Sequence, residues 1–482
     1  MLDIRPVLFI SGFVLLTLAT AMAVPLAVDL ATTHSEWQAF AFGLMATGFF
    51  GLVLIAANRT VCDPNLTIRQ AFLVTTVSWV LAGAFGSLPF FFGSQHLSLV
   101  DALFETVSGI TTTGSTILIG LDRMPPAVLL WRALLQWLGG LGVIVTSVAL
   151  LPIMRIGGMQ LFRMESSDKT DKVKARISVV ASGILKVYGI FTLLLMIAFS
   201  AAGMTPLEAA CHAMSSLSTG GFSTSDQSLG HFGDAARWIC VLGMLLGGVT
   251  FARFVAPWKR GRWSIFEDSQ VGWYLVIIAG FSALLTFWNW STRDLGPYEA
   301  LRQSVFNVVS IVTTSGFHTA DYDAWGGFAQ IAFFSMTFIG GCTGSTAGGI
   351  KVFRYEVLFA VTRAQIRRLL HPHGIFVIDF NRLRLTDAVV RSVLGFMMFY
   401  FFCFMLLALG LTLVGLDVIS SLSGAASALA NVGPGLGPVI GPGASYADLP
   451  DEAKYLLAFG MLVGRLELAT VLILFTKVFW RE

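Results

Sequence analysis

The chain reads as an all-α polytopic membrane protein. We expect ten transmembrane helices, with four helix–pore-loop–helix repeats around a pseudo-fourfold central pore. Three observations carry that expectation: a shortage of charge, ten long apolar stretches, and an internal repeat between them. Charged residues are 12% of the 482, hydrophobic ones are 55%, and the mean hydropathy is +0.77. Soluble domains carry roughly 25% charge, so this chain has too little polar surface to cover a soluble body of its size. A soluble enzyme, a nucleic-acid binder and a disordered chain are excluded together. The net charge of +3 is too small to imply an anionic partner. Glycine numbers 49, about 10% against a usual ~7%, so irregular backbone is needed somewhere. The five cysteines, Cys62, Cys211, Cys240, Cys342 and Cys403, stand singly and read as small buried hydrophobes.

A spanning helix needs about 20 apolar residues. Such stretches run over 7–28, 39–57, 71–92, 127–153, 177–202, 235–258, 271–290, 325–350, 389–416 and 455–479. The first has small residues at cleavage-like spacing (Ala19, Ala21, Ala23). Its apolar run is too long for a leader and its basic lead-in is only Arg5, so it reads as a retained helix. Orientation follows the basic residues. Segment 154–176 holds Arg155, Arg163, Lys169, Lys172, Lys174 and Arg176. Segment 253–262 holds Arg253, Lys259, Arg260 and Arg262. Segment 351–384 holds Lys351, Arg354, Arg363, Arg367, Arg368, Arg382 and Arg384. Segments 203–234 and 417–453 hold no Lys or Arg. The basic set is expected in the cytoplasm, and ten spans put both termini there.

Four windows on the opposite side align without gaps: 101–114 (DALFETVSGITTTG), 208–221 (EAACHAMSSLSTGG), 303–316 (QSVFNVVSIVTTSG) and 420–433 (SSLSGAASALANVG). Each ends in Gly and has Ser six residues earlier, namely Ser108, Ser215, Ser310 and Ser427. A repeat spaced at roughly 100 residues marks one structural unit used four times. The units are 67–176, 177–265, 266–375 and 376–482, preceded by two extra N-terminal helices in 1–66. All four enter from one side, so they are parallel repeats about an axis along the membrane normal, not inverted ones.

Irregular backbone cannot face lipid, because each unsatisfied N–H or C=O costs several kcal/mol, so it must lie in protein or line a water-filled cavity. Four such segments around one axis put carbonyl oxygens where they replace a cation's hydration shell. The short helices enter from outside and point their partly negative C-termini inward, which favours a cation. The expected filter is Thr111-Thr112-Thr113-Gly114, Ser218-Thr219-Gly220-Gly221, Thr313-Thr314-Ser315-Gly316 and Ala430-Asn431-Val432-Gly433. The fourth strand lacks hydroxyls and continues as Pro434-Gly435-Leu436-Gly437.

At these residues the chain resembles the TrkH/KtrB family of bacterial potassium uptake proteins. The likeness covers nearly the whole length: the four filter segments, QWLGG at 136–140, GGCTGSTAGGIK at 340–351 and GRLE at 464–467. The resemblance implies K+ uptake across the bacterial inner membrane, with K+ and Rb+ as permeant ions and no organic cofactor. It also implies a homodimer in membrane lipid, and a cytoplasmic TrkA-type nucleotide-binding ring that controls opening. Position 347 is Ala, where family members often have Gly. A divergent fourth strand is usual for the family and points to loose K+ selectivity.

The Gly-rich run at 340–349 interrupts the eighth apolar stretch and must line the cavity. The resemblance assigns it the gate, with Gly340, Gly341, Gly344, Ser345, Thr346, Gly348, Gly349 and Lys351 as its residues. A phosphate-binding loop is the rival reading. It fails because Ile350 separates Gly349 from Lys351 and no Ser or Thr follows the lysine. Arg465 and Glu467 are charges inside the tenth stretch, hence functional candidates. The resemblance puts Arg465 below the filter, as an electrostatic barrier against the gate.

Asp101 and Glu208 start their short helices and read as charges on the helix dipole. Asp226, Asp321 and Asp323 follow the filters, where attraction of cations is expected. Glu105, His212 and Asn307 share one register position and read as packing hydrogen bonds behind the filter. Two other classes compete with a conducting protein. A polytopic membrane enzyme needs a convergent catalytic set, yet the seven histidines form no metal-ligand spacing and no GxSxG or HExxH occurs. An H+- or Na+-coupled K+ symporter is the second.

Overall fold

The computed structural model describes residues 2–32, 36–59, 66–149, 170–255, 267–381 and 383–481. Cys62, Arg155, Arg163, Lys169, Lys259, Arg260, Arg262 and Arg382 lie outside the described residues. In chain order the helices are α1 (Arg5–Thr32), α2 (Trp37–Asn58), α3 (Ile68–Gly86), α4 (Leu88–Phe92), α5 (Leu99–Ile110), α6 (Pro126–Ala149) and α7 (Thr170–Ala201). There follow α8 (Pro206–Leu217), α9 (Asp234–Gly247), α10 (Phe251–Val255), α11 (Ser269–Thr292), α12 (Pro297–Val312) and α13 (Gly327–Thr337). The remainder are α14 (Val352–Leu370), α15 (Asp387–Leu413), α16 (Val418–Ala430), α17 (Asp451–Arg465), α18 (Leu468–Leu472) and α19 (Lys477–Trp480). A two-residue hairpin, Asp379–Phe380 against Leu383–Arg384, precedes α15.

Among the described residues seven helices are long and apolar enough to cross a membrane: α1, α2, the α3–α4 run, α6, α7, α11 and α15. An eighth arises if α17 and the segment Leu468–Phe475, bent by 110°, are one span. Three of the ten expected spans are therefore interrupted. The sixth stops at Gly247 and restarts as the short α10. The eighth leaves helix after Thr337 and resumes at Val352. The tenth breaks at Glu467, whose φ of 60° no continuing helix allows. Hydropathy reports composition and is blind to such breaks.

The four short helices α5, α8, α12 and α16 start where the sequence supplies a cap or a rigid entry. Ser98 accepts from Asp101 N, Asp417 accepts from Ser420 N, and Thr205 and Glu208 form a capping box beside Pro206. Pro297 follows Gly296 at the start of α12. These satisfy N–H groups a membrane would otherwise strand. Asp101 and Glu208 thus serve the helix termini, and Asp101 also accepts from Lys454 Nζ at 2.6 Å.

Two large apolar clusters surround the short helices. One gathers α5 and α6 with α15, α16 and α17; the other gathers α7, α8, α9, α11, α12 and α13. Beside them α1 and α2 cross where Gly12 and Gly51 abut each other's backbone, the small-residue contact that packs membrane helices. Cys211, Cys240 and Cys342 are buried, as expected of small hydrophobes, whereas Cys403 is half-buried. Helix α6 crosses the C-terminus of α5 so closely that a Cβ at Gly139 would collide with the Ile110 carbonyl. Gly139→Ala is expected to cost about 1–3 kcal/mol, read as a lowered midpoint of thermal unfolding in detergent.

Candidate ion-conduction site

All four short helices end in the same way. The backbone N–H groups of Thr113, Gly220, Ser315 and Val432 donate to the carbonyls of Ser108, Ser215, Ser310 and Ser427 at 2.8, 2.9, 2.8 and 3.0 Å. One residue earlier Thr112, Thr219, Thr314 and Asn431 turn left-handed, with φ of 53, 51, 57 and 56°. One residue later Gly114, Gly221, Gly316 and Gly433 also take positive φ, 89, 84, 82 and 106°. A β-branched residue held at positive φ costs free energy and marks a shape fixed by its surroundings.

The glycines close a ring. A Cβ at Gly114 would lie under 3.0 Å from the carbonyl oxygen of Gly220. Gly221 stands in the same relation to Ser315, Gly316 to Val432, and Gly433 to Thr113. Each strand thus presses its glycine on the carbonyl of the next, first to second, second to third, third to fourth and fourth to first. Thirteen of the sixteen strand residues, Gly433 among them, are buried, and Gly114, Gly221 and Gly316 are half-buried. These four glycines line the floor of a cavity of about 680 Å³, with Asp226, Asp448 and His318 among its walls.

Polar groups behind the ring hold it. Glu105 accepts from Ile117 N at 2.9 Å and from Arg132 Nε at 2.7 Å. His212 contacts Ser223 Oγ at 3.0 Å, and Asn307 Oδ1 accepts from Thr319 N at 3.4 Å. All three are the packing hydrogen bonds expected. Sequence reasoning missed Arg132, and it marked Gln136 only as the start of the QWLGG stretch, without a role. Arg132 is fully buried, donates also to Ser223 O at 2.9 Å, and stacks on Phe222 at 4.0 Å. It ties the first strand's outer segment to the second's. Gln136 donates to Gly220 O at 2.5 Å and accepts from Phe222 N at 3.1 Å. Its side chain fills the space left by Gly220, where strands one and three carry hydroxyls that pair along the strand, Thr111 with Thr113 and Thr313 with Ser315, both at 2.8 Å. The aspartates that follow the strands serve as tethers: Asp226 accepts from Gly120 N and Leu121 N, Asp321 from Asp323 N, and Asp323 from Gly437 N.

The run at 338–351 folds back under the ring. Ile350 N donates to Phe338 O at 3.1 Å and Gly340 N to Ile350 O at 2.9 Å, closing the loop at its base. Cys342 N and Thr346 N donate to Gly248 O and Gly247 O at 2.8 and 3.1 Å, capping the C-terminus of α9. The tip touches three of the four strands. Thr219 Oγ1 donates to Thr346 Oγ1 at 3.2 Å, Gly348 N donates to Thr314 Oγ1 at 2.6 Å, and a Cβ at Gly348 would meet the Ala430 carbonyl. Ser345 Oγ donates to Cys342 O at 2.5 Å, and Gly344 and Gly349 take φ of 75 and 64°. A Cβ at Gly341 would lie only 2.7 Å from Gly248 O, so the loop passes α9 at a distance that only glycine permits. Two cations grip the tip: Arg465 Nη1 donates to Thr346 O at 2.9 Å, and Lys351 Nζ donates to Ala347 O. Glu467 pairs instead with Arg354 Nη2 at 2.7 Å.

Fold and site define a multi-pass membrane protein built around four irregular strands, with an intramembrane loop beneath them. The family model described as "TrkH: Cation transport protein" matches residues 36–481. The chain is 45% identical over 484 residues to the Trk system potassium uptake protein TrkI of Halomonas elongata, covering 99% of this chain and 97% of that one. It is 36% identical to the Trk system potassium uptake protein TrkH of the same organism over the whole of both chains. The crystal structure of the potassium transporter TrkH from Vibrio parahaemolyticus superposes with a TM-score of 0.92, at 34% identity and full coverage of both chains. The chain belongs to the TrkH family.

Removing Arg132 strands the buried Glu105 charge. Arg132→Met is expected to cost about 3–5 kcal/mol, whereas the double substitution with Glu105→Gln costs less because no charge is left alone. The recovery of monodisperse protein from detergent, compared between the two variants, checks this. Equal losses would break the pairing argument.

Proposed function

We propose that this chain is the ion-conducting subunit of a Trk-type potassium uptake system in the bacterial inner membrane. Potassium enters through a filter made by the four strands 111–114, 218–221, 313–316 and 430–433. The observation that carries this is the closed ring of glycines against carbonyls, because a cation is dehydrated at low cost only where carbonyl oxygens surround it. The names of the relatives, potassium uptake proteins and a potassium transporter, support K+ as the ion, and Rb+ follows as its near-equal in size. The four units 67–176, 177–265, 266–375 and 376–482 then form a pseudo-fourfold pore of ten crossings, three of them broken, with both termini in the cytoplasm. One charge moving through 100 mV gains roughly 2.3 kcal/mol, or about 50-fold accumulation. A gated pore therefore suffices for uptake without a coupled ion.

The loop 340–349 is the gate in this reading. Its tip lies against strands two, three and four, so ions pass only when it moves. Arg465 reinforces the block. Its Nε and Nη2 have no hydrogen-bond partner among the described residues, and no carboxylate pairs with it there. A buried positive charge beneath the filter repels a cation. The sequence resemblance supports a homodimer whose cytoplasmic TrkA-type nucleotide-binding ring pulls the loop open.

Gly114→Ser, Gly221→Ser, Gly316→Ser and Gly433→Ser each force a side chain against the next carbonyl at positive φ. Each is expected to abolish K+-dependent growth rescue or to shift the Rb+/Na+ flux ratio by about 10-fold, equivalent to ~1.4 kcal/mol. If all four left growth and Rb+ flux untouched, the pore reading would fail. Arg465→Ala is expected to raise Rb+ leak through the isolated protein in liposomes by about 10-fold. An unchanged or lower leak would remove Arg465 from the gate.

A further inference from the structure

The fourth strand differs from the others at one oxygen. The Gly433 carbonyl accepts three hydroxyl hydrogen bonds: from Tyr446 Oη at 2.7 Å, Ser115 Oγ at 2.9 Å and Ser427 Oγ at 2.9 Å. The carbonyls of Gly114, Gly221 and Gly316 accept none among the described residues. A carbonyl oxygen has two lone pairs, so three donors leave it nothing to offer an ion.

The direction of that carbonyl is set as well. Ser427 sits on α16, behind the strand. Its counterpart Ser310 donates to Phe317 O at 2.6 Å, one residue beyond the glycine, while the hydroxyls of Ser108 and Ser215 have no partner among the described residues. In the fourth strand the glycine's own carbonyl is therefore the one drawn back toward the helix. The backbone agrees, since Gly433 has φ 106° where the other three lie between 82 and 89°. Tyr446 is fixed in place: it is 3% exposed, donates its backbone N–H to Thr116 O at 2.9 Å, and packs on Phe104 with ring centroids 5.5 Å apart.

We propose that the outermost ring of the filter is three-sided, because Tyr446, Ser115 and Ser427 hold the Gly433 carbonyl away from the ion, and that Tyr446 thereby sets how strongly the protein prefers K+ to Na+. The proposal rests on the pore reading above. Discrimination between the two ions depends on how many carbonyl dipoles replace the hydration shell. A ring with one oxygen turned away leaves a side where water stays on the ion, and Na+ loses less there. Tyr446 touches the backbone oxygen and not the ion, so it is a positioning residue.

The test is the Rb+/Na+ tracer flux ratio of the full chain in liposomes. Tyr446→Phe with Ser115→Ala removes two of the three donors. The ratio is expected to rise about fivefold, the worth of about one hydrogen bond, with Rb+ influx retained. Tyr400→Phe removes a buried hydroxyl that has no partner among the described residues and is expected to leave the ratio unchanged. A ratio that stays level or falls in the double variant, with Rb+ flux intact, overturns the three-sided ring and leaves the pore standing. Loss of the pore itself is read separately, from Gly114→Ser against the unsubstituted chain. Should the double variant not fold, Ser115→Ala alone carries the decision: a rise supports the proposal and no rise overturns it.

Discussion

In hydrocarbon a backbone N–H or C=O without a partner is intolerable, and this chain places four irregular strands and one irregular loop within its apolar sequence. Nearly everything else follows from satisfying that backbone. The short helices end in an identical bond from strand N–H to the serine carbonyl, so their last orphan acceptors are used before the strand begins. The loop donates its own N–H groups to the orphan carbonyls at the end of α9 and accepts from Ile350 at its base. The interrupted spans are the result. A helix that ran on through Gly247 or Thr337 would occupy the space the loop needs.

The common backbone is held by different side chains in each unit. Strands one and three pair hydroxyls along the chain. Strand two has Gly220 and borrows the amide of Gln136 from α6. Strand four uses Asn431, an amino acid suited to left-handed φ, whose amide donates to Thr113 Oγ1 at 3.0 Å and Met461 O at 2.9 Å. The missing hydroxyls of the fourth strand are thus replaced rather than lost. Four equal backbone turns with four unequal supports give a ring of fourfold shape and lower chemical symmetry.

That contrast explains what was legible in the sequence. Glycine and the preceding serine mark backbone geometry, which every unit must share, so their spacing was visible. In two windows the serine hydroxyl has no partner among the described residues, so the shared feature is a small residue at a helix end and not a hydroxyl ligand. The roles of Arg132, Gln136 and Tyr446 are not legible, although Gln136 opens the QWLGG stretch, because each acts on a different unit from its own, or on a single unit, and no repeat announces it. The spans misled for a related reason. The stretches 235–258, 325–350 and 455–479 are apolar because they are buried in the membrane, and buried helix and buried irregular backbone have the same composition. Only the glycines at 340–349, and the charges Arg465 and Glu467, separated them.

The charges beneath the ring show how a loop without regular structure holds one position. Lys351 and Arg465 each donate to consecutive carbonyls of the tip, Ala347 and Thr346, and Arg354 at the start of α14 pairs with Glu467 at the break of α17. Arg354 is also stacked on Phe396 at 3.6 Å, which joins the pair to α15. A buried pair of this kind contributes little net stability but makes any geometry that separates it costly. Movement of the tip away from the strands must therefore carry Arg465 with it or break its bond to Thr346. The bend at Glu467 lies two residues from that arginine. The loop and α17 are in this way one mechanical unit, and any displacement of α14 strains the Arg354–Glu467 contact at the break after α17.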